Sequence, residues 1–231
     1  MDINVVVFDL DDTLYNEITF VHSGFKAVAT YLSNHLSISA DLLLEDFKKA
    51  IDTQGRGKVF DSVLKNYGFT QKSLISKCIR IYRTHEPKIS LLPEAQTILE
   101  HLNTLNIPIY IVTDGNKITQ ANKIKALGVD RYTKKSFITH RYGTHNAKPS
   151  PYCFEKIAAL EKTSPDKIVY IGDNAHKDFI GIKPLGFHTI RIHNGMFKDF
   201  APTLEQAAHH EINHLLELEP LLHLSRSRGR L

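Results

Sequence analysis

The pattern of apolar positions changes from a strand type to a helical type early in the chain. Residues 3–8 form an apolar, β-branched run that Asn4 alone interrupts, which is typical of a strand buried on both faces of a parallel sheet. From residue 20 to residue 82, apolar side chains recur every three or four positions. This spacing predicts four consecutive helices with no strand between them. We therefore expect a helical domain inserted into an α/β protein.

Alternating strands and helices are predicted from Pro93 onward, because apolar runs take turns with segments of helical spacing. The fold class is therefore predicted to be α/β, with a central parallel sheet and an inserted all-helical domain. The expected core comprises 1–15 and 89–231, and the expected insert comprises 16–88. The later strands are predicted at 107–112, 137–139, 167–171 and 187–192, and the later helices at 94–105, 118–127, 152–161 and 204–218.

Acidic residues follow two of the predicted strands. Asp9 and Asp11 come directly after the first strand, and Asp173 follows the strand at 167–171, with Asp178 five residues later. Ligands bind at the carboxyl ends of the strands in open α/β sheets, so these side chains are candidates for chemistry. Asp178 is expected in the first turns of a helix, facing Asp173. The alternative for the first cluster is that residues 11–13 only turn the chain and cap a helix.

Candidate ligands for an anion follow two other segments. Thr113, Asp114 and Gly115 come after a strand, where a hydroxyl and free backbone N–H groups at a helix start suit phosphate; Thr113 as a helix N-cap is an equal alternative. Lys148 stands in a loop before Pro149, which fixes the neighbouring backbone and so aims the ammonium. The ordinary alternative is a solvated lysine. Both segments therefore enter the candidate site as phosphate ligands.

A glycine-rich loop joins the second and third predicted helices of the insert. Within residues 54–58, Arg56 and Lys58 lie close together between glycines. Such a loop is either a plain connector or a means of bringing a cation to an anionic substrate. Arg56 and Lys58 are therefore candidate substrate-binding residues.

Composition narrows the class of protein. The chain has 231 residues, of which 42% are hydrophobic and 23% charged, as in ordinary globular proteins. The two cysteines lack the spacing of a zinc site or a disulfide framework, which suits a reducing compartment. No apolar run is long enough to span a bilayer, and no signal-type segment opens the sequence. The expectation is a cytoplasmic protein that binds no membrane, of unknown oligomeric state.

The charge is mildly positive, formally +4, and part of the surplus lies in the tail at Arg226, Arg228 and Arg230. A short basic tail is more often a frayed terminus than a nucleic-acid site, and no aromatic and basic surface motif accompanies it. We therefore predict no nucleic-acid partner. The net charge would favour an anionic small molecule.

The four acidic side chains repel one another if they share one pocket, unless protons or a divalent cation neutralise them. A hard cation with oxygen ligands fits best. Mg²⁺ is the economical choice, since it uses few carboxylates and also accepts phosphate oxygens. Lys148 and Thr113 would then supply positive charge and a hydroxyl to a phosphoryl group.

These segments together resemble a known family. Residues 8–13, Phe-Asp-Leu-Asp-Asp-Thr, are similar to the first motif, DxDx[TV], of the haloacid dehalogenase-like (HAD) superfamily. Thr113, Lys148 and the Gly-Asp at 172–173 with Asp178 resemble its second, third and fourth motifs, in the same order. The helical insert resembles the C1 cap of the phosphoglycolate-phosphatase-like branch. The resemblance implies a Rossmannoid three-layer core with a mobile helical lid.

The resemblance also implies a role for each residue. Asp9 would attack phosphorus to form an aspartyl-phosphate, and Asp11 would protonate the leaving group and then activate water. Mg²⁺ would be held by the Asp9 carboxylate, the Asp11 backbone carbonyl and Asp173, with Asp178 arranging the outer ligands. Thr113, Asp114, Gly115 and Lys148 would bind the phosphoryl oxygens, and Arg56 and Lys58 of the cap would contact the rest of the substrate.

The predicted function is Mg²⁺-dependent hydrolysis of a small phosphomonoester, such as a sugar phosphate, a nucleoside monophosphate or a phosphoglycolate-like acid. A dehalogenase is disfavoured, because Asp11 and the metal carboxylates would then have no use. Two alternatives stay open: a phosphomutase of the same superfamily, and a non-catalytic phosphate-sensing or scaffold protein.

Overall fold

The protein is described by a computed structural model that covers residues 2–223. The basic tail at 226–230 therefore lies outside the described residues. The chain divides into two compact units, one comprising Met1–Glu17 and Ser90–Leu231 and the other Ile18–Ile89. The sequence pattern placed these boundaries at 15/16 and 88/89. The first is called the sheet unit and the second the helical unit.

The sheet unit is built on six parallel strands in the order β3-β2-β1-β4-β5-β6. The apolar composition of β1, β2 and β4 matches their position, since every residue in these three strands is buried. The predicted α/β class with a parallel sheet is confirmed. The strands are β1 Val5–Phe8, β2 Ile109–Thr113, β3 Lys135–Ile138, β4 Ile168–Gly172, β5 His188–Ile192 and β6 His210–Ile212.

The chain reverses its direction across the sheet between β3 and β4. It runs from β1 outward through β2 to β3 and then returns to the other side of β1 as β4. Phe8 pairs with Ile171, and the Asp9 N–H donates to the Ile171 carbonyl at 2.8 Å. The residues that follow β1 and β4 are therefore neighbours. This reversal is the place where open α/β sheets bind ligands.

Three helices of the sheet unit begin close to the predicted positions: α5 Pro93–Thr104, α6 Lys117–Leu127 and α7 Tyr152–Glu161. A short further helix, α8 Leu218–Leu221, begins where the predicted helix at 204–218 was expected to end. Asn116 caps α6, because its side chain accepts hydrogen bonds from the N–H groups of Ile118 and Thr119. The N-cap interpretation of Thr113 is therefore wrong, and the Thr113 side chain is available for another contact.

The helical unit contains the four predicted helices. They are α1 Glu17–Ser33, whose first residue belongs to the sheet unit, α2 Ala40–Gln54, α3 Val59–Asn66 and α4 Lys72–Thr84. Their apolar faces form a separate core, in which aromatic rings contact one another in tilted or edge-to-face pairs. The Phe25 and Phe47 ring centres lie 5.4 Å apart, and those of Phe47 and Phe60 lie 5.2 Å apart. The insert therefore has a hydrophobic core of its own.

The two ends of the insert are joined within the sheet unit. The Leu92 N–H donates to the Leu14 carbonyl at 2.9 Å. Leu14 lies just before the insert and Leu92 just after it. The chain thus leaves and re-enters the sheet unit at one point.

Two predicted helices are wrong. Residues 204–218 do not form a helix: residues 210–212 pair with β5 as β6, and residues 215–217 form one turn of 3₁₀ helix. Residues 210–212 form backbone hydrogen bonds with the edge strand β5, and this pairing prevails over the helical spacing of the sequence. Leu204, the first residue of the predicted helix, is 92% exposed. The segment after Asp173 also forms turns instead of a helix, so Asp178 is placed by a turn on Asn174.

Across residues 2–223, none of the helices combines the length and the apolar character needed to cross a bilayer.

Candidate active site

Three carboxylates meet at the carboxyl ends of β1 and β4. Asp9 follows β1, Asp173 follows β4, and Asp178 reaches back from the turn beyond. All three are buried, and one oxygen from each lies within 4.8 Å of the others. These three residues are called the acid cluster.

Gly172 is required for this approach. A Cβ atom on Gly172 would lie 2.4 Å from Oδ2 of Asp178, closer than real Cβ atoms come to other atoms. The Asn174 N–H donates to the same Oδ2 at 2.9 Å and so fixes the carboxylate. The glycine of the Gly-Asp motif therefore makes room for the second acid of that motif.

Lys148 is the cation beside the acid cluster. Its Nζ lies 2.9 Å from Oδ1 of Asp9 and 2.8 Å from Oδ1 of Asp178, and it donates to the Tyr170 hydroxyl at 2.7 Å. Its side chain is 1% exposed. The alternative of a solvated loop lysine is excluded by this burial.

The acid cluster carries more negative charge than Lys148 balances. Burial raises the pKa of Asp9 to about 7, although the Lys148 ammonium acts in the opposite direction. Burial, with the nearby Asp9 and Asp178 carboxylates, raises the pKa of Asp173 to about 9. Burial also acts to lower the pKa of Lys148, but the carboxylates of Asp178 and Asp9 outweigh it and raise that pKa well above its usual value.

This donor set fits a hard divalent cation. The three ligand side chains offer carboxylate oxygens only, which suits Mg²⁺ better than softer metals. A bound cation would replace the protons that Asp9 and Asp173 retain in its absence. Of the four acidic side chains expected in one pocket, those of Asp9, Asp173 and Asp178 meet here, and that of Asp11 does not.

Asp11 does not join the acid cluster and has different neighbours. Its Oδ1 accepts hydrogen bonds from the Tyr15 hydroxyl and from Nζ of Lys123, the latter at 2.6 Å. Its Oδ2 accepts from Nε2 of Gln120 at 2.8 Å. Burial acts to raise the pKa of Asp11, but the Lys123 ammonium and these hydrogen bonds outweigh it and lower the pKa. We call these four residues, with Glu17, the Asp11 network.

The phosphate-ligand candidates differ in where their side chains lie. Thr113 is 1% exposed, and its Oγ1 accepts from Nε2 of Gln120 at 2.6 Å. Gly115 has a φ of +132°, which side chains disfavour, and it lies directly before the N-cap of α6. The backbone N–H groups of this turn are thus at the positive end of a helix.

The Asp114 carboxylate holds neighbouring loops together. It accepts from the Thr139 hydroxyl at 2.7 Å and the Lys148 N–H at 3.1 Å, and it pairs with Nζ of Lys177 at 2.8 Å. Burial acts to raise the pKa of Asp114, but Lys148 and Lys177 outweigh it and lower the pKa. A carboxylate repels phosphate, so any contact of Asp114 with phosphate would use its backbone N–H.

Arg56 lines a cavity inside the helical unit, and Lys58 does not. The cavity has a volume of about 260 Å³, and its lining includes Arg83 and the rings of Phe60 and Tyr82. Lys58 is exposed at the start of α3. Arg56 is therefore the better placed of the two for a ligand of this cavity.

Sequence reasoning missed four residues that the structure places beside the candidate side chains: Tyr15, Gln120, Lys123 and Tyr170. Gln120 and Lys123 lie on the buried face of α6, where apolar residues are expected. Two buried polar positions three residues apart on one helix are a signal that the sequence does contain. Tyr170 sits in an apolar strand and gives no such signal.

The comparisons with known proteins agree with this geometry. The family model described as haloacid dehalogenase-like hydrolase matches residues 6–192. The glyceraldehyde 3-phosphate phosphatase of Methanocaldococcus jannaschii is 31% identical over 220 residues, which cover 92% of this chain and 94% of that protein. The chain therefore belongs to the haloacid dehalogenase-like hydrolases, and the family expected from the motifs is confirmed.

Two solved structures share the fold. The HAD phosphatase of Thermococcus onnurineus is 25% identical, with a TM-score of 0.62 over 97% of this chain and 100% of that one. The HAD-hydrolase YfnB of Bacillus subtilis, described as bound to magnesium, is 21% identical, with a TM-score of 0.66 over 96% of this chain and 99% of that one.

Proposed function

We propose that the protein is a Mg²⁺-dependent phosphatase that hydrolyses a small phosphomonoester through an aspartyl-phosphate on Asp9. The observation that carries the proposal is the meeting of Asp9, Asp173 and Asp178 with Lys148 at the reversal point of the sheet. The names of its relatives, which are phosphatases, support the reaction class.

Asp9 is the proposed nucleophile. An oxygen of Asp9 attacks phosphorus while the bond from phosphorus to the ester oxygen breaks, which divides one difficult hydrolysis into two easier steps. Lys148 contacts Oδ1 of Asp9 and so orients the carboxylate. Lys148, Thr113 and the N-terminus of α6 would bind the phosphoryl oxygens.

Asp11 is the proposed acid and base. The Asp11 pKa is lowered in the unliganded protein, so Asp11 must take up a proton from solvent as the anionic phosphate binds nearby. It then gives that proton to the leaving alkoxide in the first step and takes one from the attacking water in the second. Its separate network keeps it apart from the acid cluster, so the two aspartates perform different tasks.

Asp9 and Asp173 would hold Mg²⁺, with Asp178 supporting the site and the backbone carbonyl of Asp11 as a further ligand. When bound, the cation supplies positive charge that neutralises the carboxylates and the phosphoryl group. The magnesium-bound hydrolase of the same fold supports this choice of metal.

The substrate is proposed to be a small phosphorylated metabolite. Glyceraldehyde 3-phosphate is the first compound to assay, because a 31% identical relative is named for it. The helical unit is proposed to act as the cap that selects the leaving group, and a cytoplasmic location stays a prediction.

The direct test replaces Asp9 by Asn. Wild-type protein with Mg²⁺ should release phosphate from glyceraldehyde 3-phosphate and from an aryl phosphate, and Asp9→Asn should lower both rates by about 10³-fold or more. Asp130→Asn changes an exposed carboxylate of the same unit and serves as the control. Mass spectrometry of acid-quenched wild-type enzyme should find a phosphoryl group on the peptide that contains Asp9. Equal rates for wild type and Asp9→Asn would refute the proposal.

A second test concerns the cavity of the helical unit. Arg56→Ala should raise KM for the physiological substrate by roughly 10-fold, since a charge-assisted contact is lost, and should leave an aryl phosphate almost unaffected. Lys58→Ala, which changes an exposed neighbour, is the matched control. An equal effect of Arg56→Ala on both substrates would remove Arg56 from recognition.

A further inference from the structure

Lys123 is a buried lysine that the chemistry described above does not use. It lies on α6, and its side chain is 3% exposed. Its Nζ contacts Oδ1 of Asp11 at 2.6 Å and Oε1 of Glu17 at 3.1 Å. Burying an ammonium group is unfavourable unless it is paired, so this position needs an explanation beyond packing.

The contacts of Asp11 fix the direction of its carboxylate. One oxygen is held by Lys123 and Tyr15, and the other is held by Gln120. The carboxylate cannot rotate about its last bond without breaking hydrogen bonds to donors on two sides. Tyr15 is near in sequence, but Lys123 and Gln120 come from a distant helix, so α6 determines where the carboxylate lies.

The same helix connects Asp11 to the proposed phosphate site. Nε2 of Gln120 contacts both Oδ2 of Asp11 and Oγ1 of Thr113, at 2.8 and 2.6 Å. Thr113 is also 1% exposed, so this bridge is shielded from water. Gln120 therefore links the Asp11 carboxylate to Thr113, which is a proposed ligand of the phosphoryl group.

We infer that Lys123 is a positioning residue for Asp11: its ammonium holds the Asp11 carboxyl group where it can reach the oxygen of the leaving group. The inference rests on the proposed function. The Lys123 ammonium contacts Asp11 and Glu17, and of these two it is Asp11 that is proposed to act on the substrate, so Lys123 is proposed to act through Asp11.

The proposed step has a measurable dependence on the leaving group. Asp11 takes up a proton from solvent as the anionic ester binds. The bond from phosphorus to the ester oxygen then breaks as the bond to Asp9 forms, its electron pair passes to the ester oxygen, and the proton on Asp11 goes to that oxygen. An alkoxide is strongly basic and needs this proton. A 2,4-dinitrophenolate is weakly basic and leaves without it. A misplaced Asp11 therefore penalises alkyl esters and spares the dinitrophenyl ester.

The experiment measures kcat/KM for an alkyl phosphate, glyceraldehyde 3-phosphate, and for 2,4-dinitrophenyl phosphate, both with Mg²⁺. This parameter reports the steps up to formation of the phosphoenzyme, before water attacks. Lys123→Met removes the ammonium and keeps a flexible apolar chain. Lys125→Met, on the exposed face of the same helix, is the matched control. Asp11→Asn is the reference for complete loss of the acid.

The expected result is selective. Lys123→Met should lower kcat/KM for the alkyl ester by about 10- to 100-fold, within the range of general acid catalysis, and for the dinitrophenyl ester by less than about threefold. Lys125→Met should resemble wild type. Lys123→Met combined with Asp11→Asn should be no slower on the alkyl ester than Asp11→Asn alone, because both changes remove one function.

A milder variant covers the case in which Lys123→Met does not fold. Tyr15→Phe removes a single hydroxyl from the Asp11 network and keeps the buried ring. It should show the same selectivity for the alkyl ester with a smaller loss. Circular dichroism and the activity on the dinitrophenyl ester report whether each variant is folded.

Three outcomes would overturn the inference. The first is an equal loss of kcat/KM for both esters in Lys123→Met. The second is a gain of kcat/KM for the alkyl ester, which would mean that Lys123 holds Asp11 away from the leaving group. The third is additive losses in the double variant. Failure of the proposed function looks different, because wild-type enzyme would then release no phosphate or Asp9→Asn would remain active.

Discussion

Asp9 and Asp11 stand two positions apart after the same strand, yet their surroundings are opposite. Burial and neighbouring acids around Asp9 give it a pKa of about 7, whereas the ammonium and hydrogen-bond donors around Asp11 hold its pKa below the usual value. Both residues are aspartates, and both lie in the loop after β1. The difference arises from the elements that contribute the neighbours, which are β4 and its turn for Asp9 and α6 for Asp11.

The contrast shows how one short motif serves two purposes. The acid cluster concentrates negative charge, which a cation can neutralise, and the Asp11 network supplies its own positive charge from Lys123. A cation is therefore expected at the first cluster and is not required at the second. Three predictions test this separation.

The largest expected effect concerns the metal. Asp173→Asn should raise the Mg²⁺ concentration for half-maximal activity by roughly 100-fold or more, since even residues that only support metal ligands contribute roughly 10- to 100-fold in affinity. Glu17→Gln, in the Asp11 network, should leave that concentration unchanged. A Mg²⁺ titration of phosphate release measures both, and an equal shift in the two variants would contradict the separation of the clusters.

A smaller effect concerns the space between β4 and Asp178. Gly172→Ala should destabilise the protein by about 1–3 kcal/mol, because the new methyl group meets the Asp178 carboxylate. Gly57→Ala is the matched control, since no atom lies within 4 Å of the added Cβ there. Thermal unfolding of both variants checks this. An unchanged unfolding temperature for Gly172→Ala would mean that the acid cluster is not rigid.

The third prediction concerns the pH dependence of stability. The folded-state pKa values of Asp9 and Asp173, about 7 and 9, lie above the ordinary carboxyl value, so the cation-free native state binds protons more tightly than the unfolded chain. The stabilisation of the native state by Asp9 and Asp173 is complete below about pH 4. It is lost as the pH rises through 7 to 9.

Calorimetry can measure this dependence. Without a divalent cation, the unfolding temperature should fall as the pH rises from 6 to 9, because the native state then loses the protons on Asp9 and Asp173. Mg²⁺ should raise that temperature more at pH 8.5 than at pH 6, because protons compete for the same oxygens. An increase independent of pH would place the cation elsewhere.

The sequence alone predicted that Asp9 and Asp173 lie close together. The end of an apolar run marks the end of each strand, and parallel strands end at the same edge of the sheet. Asp9 and Asp173 were placed by their positions after apolar runs, and the structure brings them together. Lys123 and Gln120 were missed, because their polar side chains on the apolar face of a predicted helix do not reveal that the helix packs beside Asp11, which is far away in the sequence. The prediction of a helix at 204–218 was wrong for a related reason. Residues 210–212 pair with β5, and the spacing of apolar residues within the segment gives no information about that distant strand.

The hydrogen bond between Leu14 and Leu92 makes the intervening segment a cassette. Because a hydrogen bond joins the two ends of this segment within the sheet unit, we expect that a different segment could replace it without changing the order of the strands. A graft must begin after Glu17, since Tyr15 and Glu17 serve Asp11 and Lys123. If the helical unit selects the leaving group, as proposed, exchanging residues 18–89 should change that preference and leave the proposed phosphate chemistry of the sheet unit in place.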